Sequence, residues 1–243
     1  IIFPYVYKNS DAHTQLGIFG AASKIAMIMS MITQAFRYAY EPFVFGKARD
    51  KDNKETYARA MKFFIIFTLL AFLVVMGYMD VLRHIIGRDY WVGLEVVPIV
   101  MAGGIMTGVY FNLSFWYKLI DKTIWGAYFS GIGCAVIIGI NVIFVPKYGY
   151  IACAWAGFLG NATAMVLSYI VGQRKYPIDY PLKSIGVYVL IGGLFFAIIS
   201  YTNANLSVAA ALGINTLVII LFIAHVLYHD FPLQQLRKRL GKK

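Results

Sequence analysis

Five stretches of this chain run without a single Asp, Glu, Lys or Arg, over residues 63–79, 96–117, 123–146, 148–173 and 184–229. A helix needs about 20 apolar residues to cross the roughly 30 Å hydrocarbon core of a bilayer. The first four stretches each suit one crossing. The fifth holds 46 residues, too many for one helix, and its polar run Thr202, Asn203, Ala204, Asn205 marks a turn between two. A further segment, 16–45, is long enough to span despite Lys24, Arg37 and Glu41. The pattern predicts an all-α polytopic membrane fold with seven transmembrane helices, at 16–45, 62–82, 95–118, 123–146, 148–173, 183–202 and 206–229. One transmembrane domain covers 1–243, ending in a basic tail at 230–243.

Composition argues against a water-soluble fold. With 60% hydrophobic and 14% charged residues, against about 25% charged in an average soluble domain, a water-soluble enzyme is not expected. The net charge of +11 would suggest nucleic acid in a soluble chain. Beside such apolar runs it reads instead as loop charge that sets topology. Alternate loops separate the cations. One set holds sixteen: Lys47, Arg49, Lys51, Lys54, Arg59 and Lys62, Lys118 and Lys122, Arg174, Lys175 and Lys183, and Arg237, Lys238, Arg239, Lys242 and Lys243. The opposite set holds four, Lys8, Arg83, Arg88 and Lys147. Cytoplasmic loops are the basic ones, so the N-terminus is expected outside and the C-terminus inside. The tail is expected to rest on anionic headgroups or to act only as a topology anchor. Cys134 and Cys153 lie within apolar runs, leaving no disulfide framework or metal-ligand spacing. Ile1 is not an initiator Met, and no signal-peptide pattern follows it. The chain therefore reads as beginning in mid-protein.

Helices in a bilayer associate where small residues let backbones approach. Ala152, Ala156, Gly160, Ala164, Ser168 and Gly172 recur every four residues and predict such a seam along the fifth helix. Gly104 and Gly108 offer a shorter one in the third. Pro42 is expected to end the first helix. Pro98 is expected to end or kink the third.

The first helix carries the chemistry. Ser23, Met27, Ser30, Gln34, Arg37 and Glu41 follow at intervals of 4, 3, 4, 3 and 4, which aligns them in one stripe with Lys24 at its side. A cation at mid-bilayer costs roughly 2.5–3.5 kcal/mol on insertion scales, so Lys24 and Arg37 are expected to face a cavity or a partner. Snorkelling, or an Arg37–Glu41 pair at i,i+4, would account for the charges. Neither explains Ser30 and Gln34 on the same face, which favours a substrate-binding cavity lined by Lys24, Ser30, Gln34, Arg37 and Glu41. Asn112, Asn141 and Asn161 are expected to bond between helices, with Asn112 and Asn141 as further candidates for a polar cavity. Asp80, His84 and Glu95 read as interfacial. Asp80 offers a proton relay as an alternative. His225 and His229 lack a third metal ligand. Phosphate-loop, HExxH, CxxC and GxSxG patterns are absent, so a non-enzymatic protein without cofactor or metal is expected.

The runs Gln15-Leu-Gly-Ile-Phe-Gly-Ala-Ala-Ser-Lys24 and Gln34-Ala-Phe-Arg-Tyr-Ala-Tyr-Glu-Pro-Phe43 resemble the eighth helix of bacterial polysaccharide biosynthesis proteins of the oligosaccharide flippase type. Asn112-Leu-Ser-Phe-Trp-Tyr-Lys-Leu-Ile-Asp-Lys-Thr123, and Asn141 followed by Pro-Lys-Tyr-Gly-Tyr-Ile-Ala-Cys-Ala-Trp155, are similar to the same family, and the likeness covers essentially the whole chain. The resemblance implies the multidrug, oligosaccharidyl-lipid and polysaccharide exporter superfamily, with 14 helices in two lobes. This chain would be helices eight to fourteen, and its partners would be the N-terminal lobe, membrane lipids and the polysaccharide polymerase and export machinery. It further implies alternating-access flipping of a polyprenyl-pyrophosphate-linked oligosaccharide across a bacterial cytoplasmic membrane for surface polysaccharide. Lys24 and Arg37 would pair with the pyrophosphate, Ser30 and Gln34 would line the path, and Glu41 would orient Arg37. Two other classes stay open: a drug or cation antiporter of the same superfamily, which would need cavity acids, and a seven-helix receptor or scaffold.

Overall fold

The computed structural model describes residues 3–7, 11–46 and 53–230. Among these, seven helical segments are long and apolar enough to cross a membrane, and there is no strand. The chain is an all-α polytopic membrane protein. The spanning helices are α1 (Ala12–Gly46), α2 (Asn53–Gly77), α3 (Val97–Leu113), α4 (Ile124–Tyr148), α5 (Tyr150–Lys175), α6 (Leu182–Asn205) and α7 (Val208–Asp230). The tail expected to lie on headgroups, and Lys8, Lys47, Arg49 and Lys51, fall outside the described residues apart from Asp230, which closes α7.

Several boundaries differ from the sequence reading for identifiable reasons. Pro42 lies inside α1, which continues to Gly46 and does not stop there. At 35 residues and 1.5 Å per residue, α1 is about 52 Å long, so it must tilt or protrude from a roughly 30 Å core. Pro98 is the second residue of α3, where its missing N–H removes no helical bond. It starts the helix and does not kink it. The third crossing is composite, with 3-10 turns over Arg88–Val96 before α3 and a short helix Phe115–Leu119 after it. α2 ends at Gly77, and Met79–Leu82 is a separate turn of helix. The last carbonyls of a helix lack intrahelical donors. Here Met76 O accepts from Asn203 Nδ2 at 3.1 Å and Gly77 O from Asn215 Nδ2 at 3.0 Å.

α3 is central, packed against α1, α2 and α5, while α4 packs on α5 and the α6/α7 pair packs on α2. The seam on α5 is buried along its length. A Cβ at Gly160 would lie 2.3 Å from Ile137 Cγ1 and 2.8 Å from Gly133 O, which places α4 directly against the seam. α4 and α5 are joined by one residue, Gly149, at φ 56° and ψ −136°, a backbone conformation available in practice to glycine only. Gly104 and Gly108 admit Met29 of α1 and Phe64 of α2 against α3.

Charges separate by end. The end of α1, the start of α2, the end of α3 and the α5–α6 connection meet in a cluster containing Val44, Tyr57, Phe115 and Ile178. Most described cations outside the helix interiors lie at this end. At the opposite end, Arg83 pairs with Asp80 at 3.0 Å and stacks over Trp91, and Tyr150 donates to Glu95 Oε1 at 2.5 Å.

Candidate functional site

α1 meets the bundle through Ala22, Ile25, Ala26, Met29 and Thr33, all buried. The polar stripe begins one residue round from that face, and successive helical residues are about 100° apart. Lys24, Ser30 and Gln34 are exposed, Ser23, Arg37 and Glu41 are half-buried, and Met27 and Met31 are more than half exposed. The stripe therefore lies along an uncovered flank of α1. In the hydrocarbon region such polar groups must be met by protein or water.

Glu41 does not pair with Arg37. Its Oε1 accepts from Lys118 Nζ at 2.6 Å, across from the short helix that follows α3. Arg37 is instead held by aromatic rings, its guanidinium 5.0 Å from the Phe111 ring centroid and 5.3 Å from that of Tyr38. Arg37 Nε is buried and has no hydrogen-bond partner, as are Thr33 Oγ1, Tyr40 OH and Asn112 Oδ1. These four residues line one narrow cleft with Phe36, Phe64, Gly108, Phe111 and Phe115. Lys24 forms no ion pair among the described residues, and it stands about two helical turns or more from the Arg37 cleft.

The asparagines divide. Asn112 donates to Gly108 O at 3.0 Å and Asn141 to Ile137 O at 2.8 Å, each within its own helix and not between helices. Asn161 reaches Gly103 O of α3 at 3.5 Å, a long contact. Asn112 joins the Arg37 cleft, whereas Asn141 lies on α4, with its Oδ1 buried and unpaired. Each of the three acids weighed for other roles has a partner: Glu41 with Lys118, Asp80 with Arg83, and Glu95 with Tyr150. The rings of His225 and His229 are 4.6 Å apart, and no group of three or more metal-ligating side chains occurs among the described residues.

Two features escaped the sequence reading. One is a polar knot in which buried Asn215 donates to Asn203 Oδ1 at 2.8 Å and accepts from Thr202 Oγ1 at 2.6 Å, beside the Tyr78–Thr216 hydroxyl pair at 2.8 Å. The other is an apolar groove of about 770 Å³ on the side of α3 turned away from α1. α2 and α3 form its floor through residues such as Leu69 and Ala102, and α5 and α6 form its walls through Trp155 and Val189. Its residues come from four helices, so no local period marks it. No family model, curated protein or solved structure matches the chain.

Proposed function

We propose that this chain is part of a membrane flippase that carries a polyprenyl-pyrophosphate-linked oligosaccharide across the bacterial cytoplasmic membrane, with the flank of α1 as one wall of the path. The observation that carries the reading is the uncovered polar stripe: Lys24, Ser30 and Gln34 stand exposed on a helix whose opposite side is packed. A lipid-facing helix has no use for such a stripe, and a wall of a hydrated path does. Arg37 supports an anionic substrate. Its charge is unpaired by any acid among the described residues, its guanidinium lies 5.0 Å from the Phe111 ring centroid, and its Nε lacks an acceptor. A pyrophosphate would meet the accessible remainder of the half-buried guanidinium in a charge-assisted bond. A cation antiporter fits less well, because Glu41, Asp80 and Glu95 are each engaged elsewhere. Glu41 takes no part in orienting Arg37 on this reading. It fixes the end of α1 to Lys118.

The path is completed by a second lobe preceding this one, and the loops of the charge-rich end face the cytoplasm. The test compares wild type with Arg37→Ala in the full-length protein in its own host at matched expression, following lipid-linked glycan in each leaflet. Accumulation on the cytoplasmic side in the variant is expected. An unchanged distribution would reduce Arg37 to a packing residue, and an unchanged distribution on deleting the gene would end the flippase reading.

A further inference from the structure

The apolar groove has no part in the function proposed above, and its chemistry narrows what it holds. Nearly all of its lining surface is carbon, and none of its lining residues is charged. A polar molecule inside it would lose hydrogen bonds to water without replacement. Its volume of about 770 Å³ falls within the range of pockets that bury a small molecule. In a bilayer, the fluid beside such a groove is hydrocarbon.

One end is different. Tyr169 and Tyr180 line it with ring centroids 6.2 Å apart, and neither hydroxyl makes a hydrogen bond among the described residues. Tyr180 belongs to the α5–α6 connection and Leu182 opens α6, with Arg174, Lys175 and Lys183 flanking the connection. All three cations are exposed, and none is ion-paired among the described residues. Lys54 adds a fourth cation at this end, its ammonium 4.6 Å from the Tyr176 ring centroid. Asp179 is the one acid in the connection. A hydrocarbon slot that ends in free phenols and a surplus of cations matches a molecule with an apolar chain and an anionic head.

We propose that the groove is a binding site for an anionic glycerophospholipid. An acyl chain lies between α5 and α6 over the floor of α2 and α3. Its phosphate meets Arg174, Lys175 and Lys183, and the Tyr180 hydroxyl donates to a phosphate or ester oxygen. The site needs nothing from α1, so it stands whether or not the stripe handles a glycan.

The test takes the full-length protein in nanodiscs of equal palmitoyl-oleoyl phosphatidylglycerol and phosphatidylcholine and weighs the lipid it retains by native mass spectrometry. Retention of phosphatidylglycerol over phosphatidylcholine by about fivefold or more is expected, the factor equal to the ~1 kcal/mol of one basic contact with an anionic membrane. Arg174→Gln, Lys175→Gln and Lys183→Gln together should bring the ratio near one, and all three are exposed, so no buried packing is lost with them. Gly193→Leu should lower the retention of both lipids, because Gly193 lines the groove and an added Cβ there meets nothing within 4 Å. A wild-type ratio near one, or a ratio untouched by the triple variant, overturns the proposal. So does displacement of phosphatidylglycerol by equimolar polyprenyl phosphate, which would assign the groove to a carrier lipid. A dimer that has shed its lipid would assign it to a second copy.

Discussion

Lys118 Nζ lies 2.6 Å from Glu41 Oε1, so the acid one helical turn beyond Arg37 is bound to the far end of the third crossing. Both side chains are roughly 30% exposed, so water screens the pair and its worth is at the modest end, about 0.5–1 kcal/mol. Glu41→Gln and Lys118→Gln should each lower the unfolding midpoint in detergent by a few degrees, and the double variant by little more than either. The exchange Glu41→Lys with Lys118→Glu should recover most of the loss. Full additivity of the two single variants would show that the groups act separately.

Arg37 should matter through its charge and its planar shape. In a binding titration of the full-length protein with a polyprenyl pyrophosphate, Arg37→Ala should weaken affinity at least about tenfold, the scale of one charge-assisted hydrogen bond of ~1.5–3 kcal/mol. Arg37→Lys should fall between wild type and Ala, since it keeps the charge but loses the fork and its stacking on Phe111. Equal binding by all three would remove Arg37 from the site.

Asn215 is fully buried and holds three partners, Gly77 O, Asn203 Oδ1 and Thr202 Oγ1. Asn215→Leu keeps the branched shape but takes the side-chain donor away from Gly77 O and Asn203 Oδ1. An unsatisfied buried group costs roughly 1–3 kcal/mol, so a loss of about 2 kcal/mol is expected in reversible unfolding. Asn205→Leu is the control, because Asn205 is exposed and bonds only to Tyr201 O in its own helix. Similar losses in the two variants would show that the knot adds nothing.

Gly160 and Gly157 stand one turn apart on α5 with opposite surroundings. A Cβ at Gly160 meets Ile137 and the Gly133 carbonyl, whereas one at Gly157 meets nothing within 4 Å. Gly160→Ala should destabilise by roughly 1–3 kcal/mol through overpacking. Gly157→Ala should be neutral or slightly stabilising, since alanine is the better helix former. The comparison is read from two thermal unfolding curves.

What was legible in the sequence follows the range of each interaction. Charge-free runs reported six of the seven crossings, and the length of 16–45 the remaining one, because spanning is a property of a continuous segment. The seam from Ala152 to Gly172 was visible because a helix face repeats in the chain itself, and all six of its residues are buried. Pro42 misled because a proline can be carried within a helix whose neighbours hold it in place. The partner of Glu41 was beyond reach, since Lys118 is 77 positions away while Arg37 sits at the favoured i,i+4 spacing. For the same reason the stripe on α1 could be drawn from its spacing, but which side of α1 the bundle covers could not. The groove left no signal at all: its residues are ordinary apolar ones on four helices, and only their relative placement makes a slot.

The joins between α2 and the α6/α7 pair sit at two separate points along α2. Asn203 and Asn215 hold the carbonyls at one end of α2. About 22 Å further along α2, at 1.5 Å per residue, Lys62 pairs with Asp230 of α7, which also accepts from Tyr188 of α6 at 2.6 Å. A rod pinned at a single point pivots, and one pinned at two well-separated points does not. α2, α6 and α7 therefore turn together as one lever, and any rocking of α1 and α3 is transmitted to that lever whole, with little give inside it.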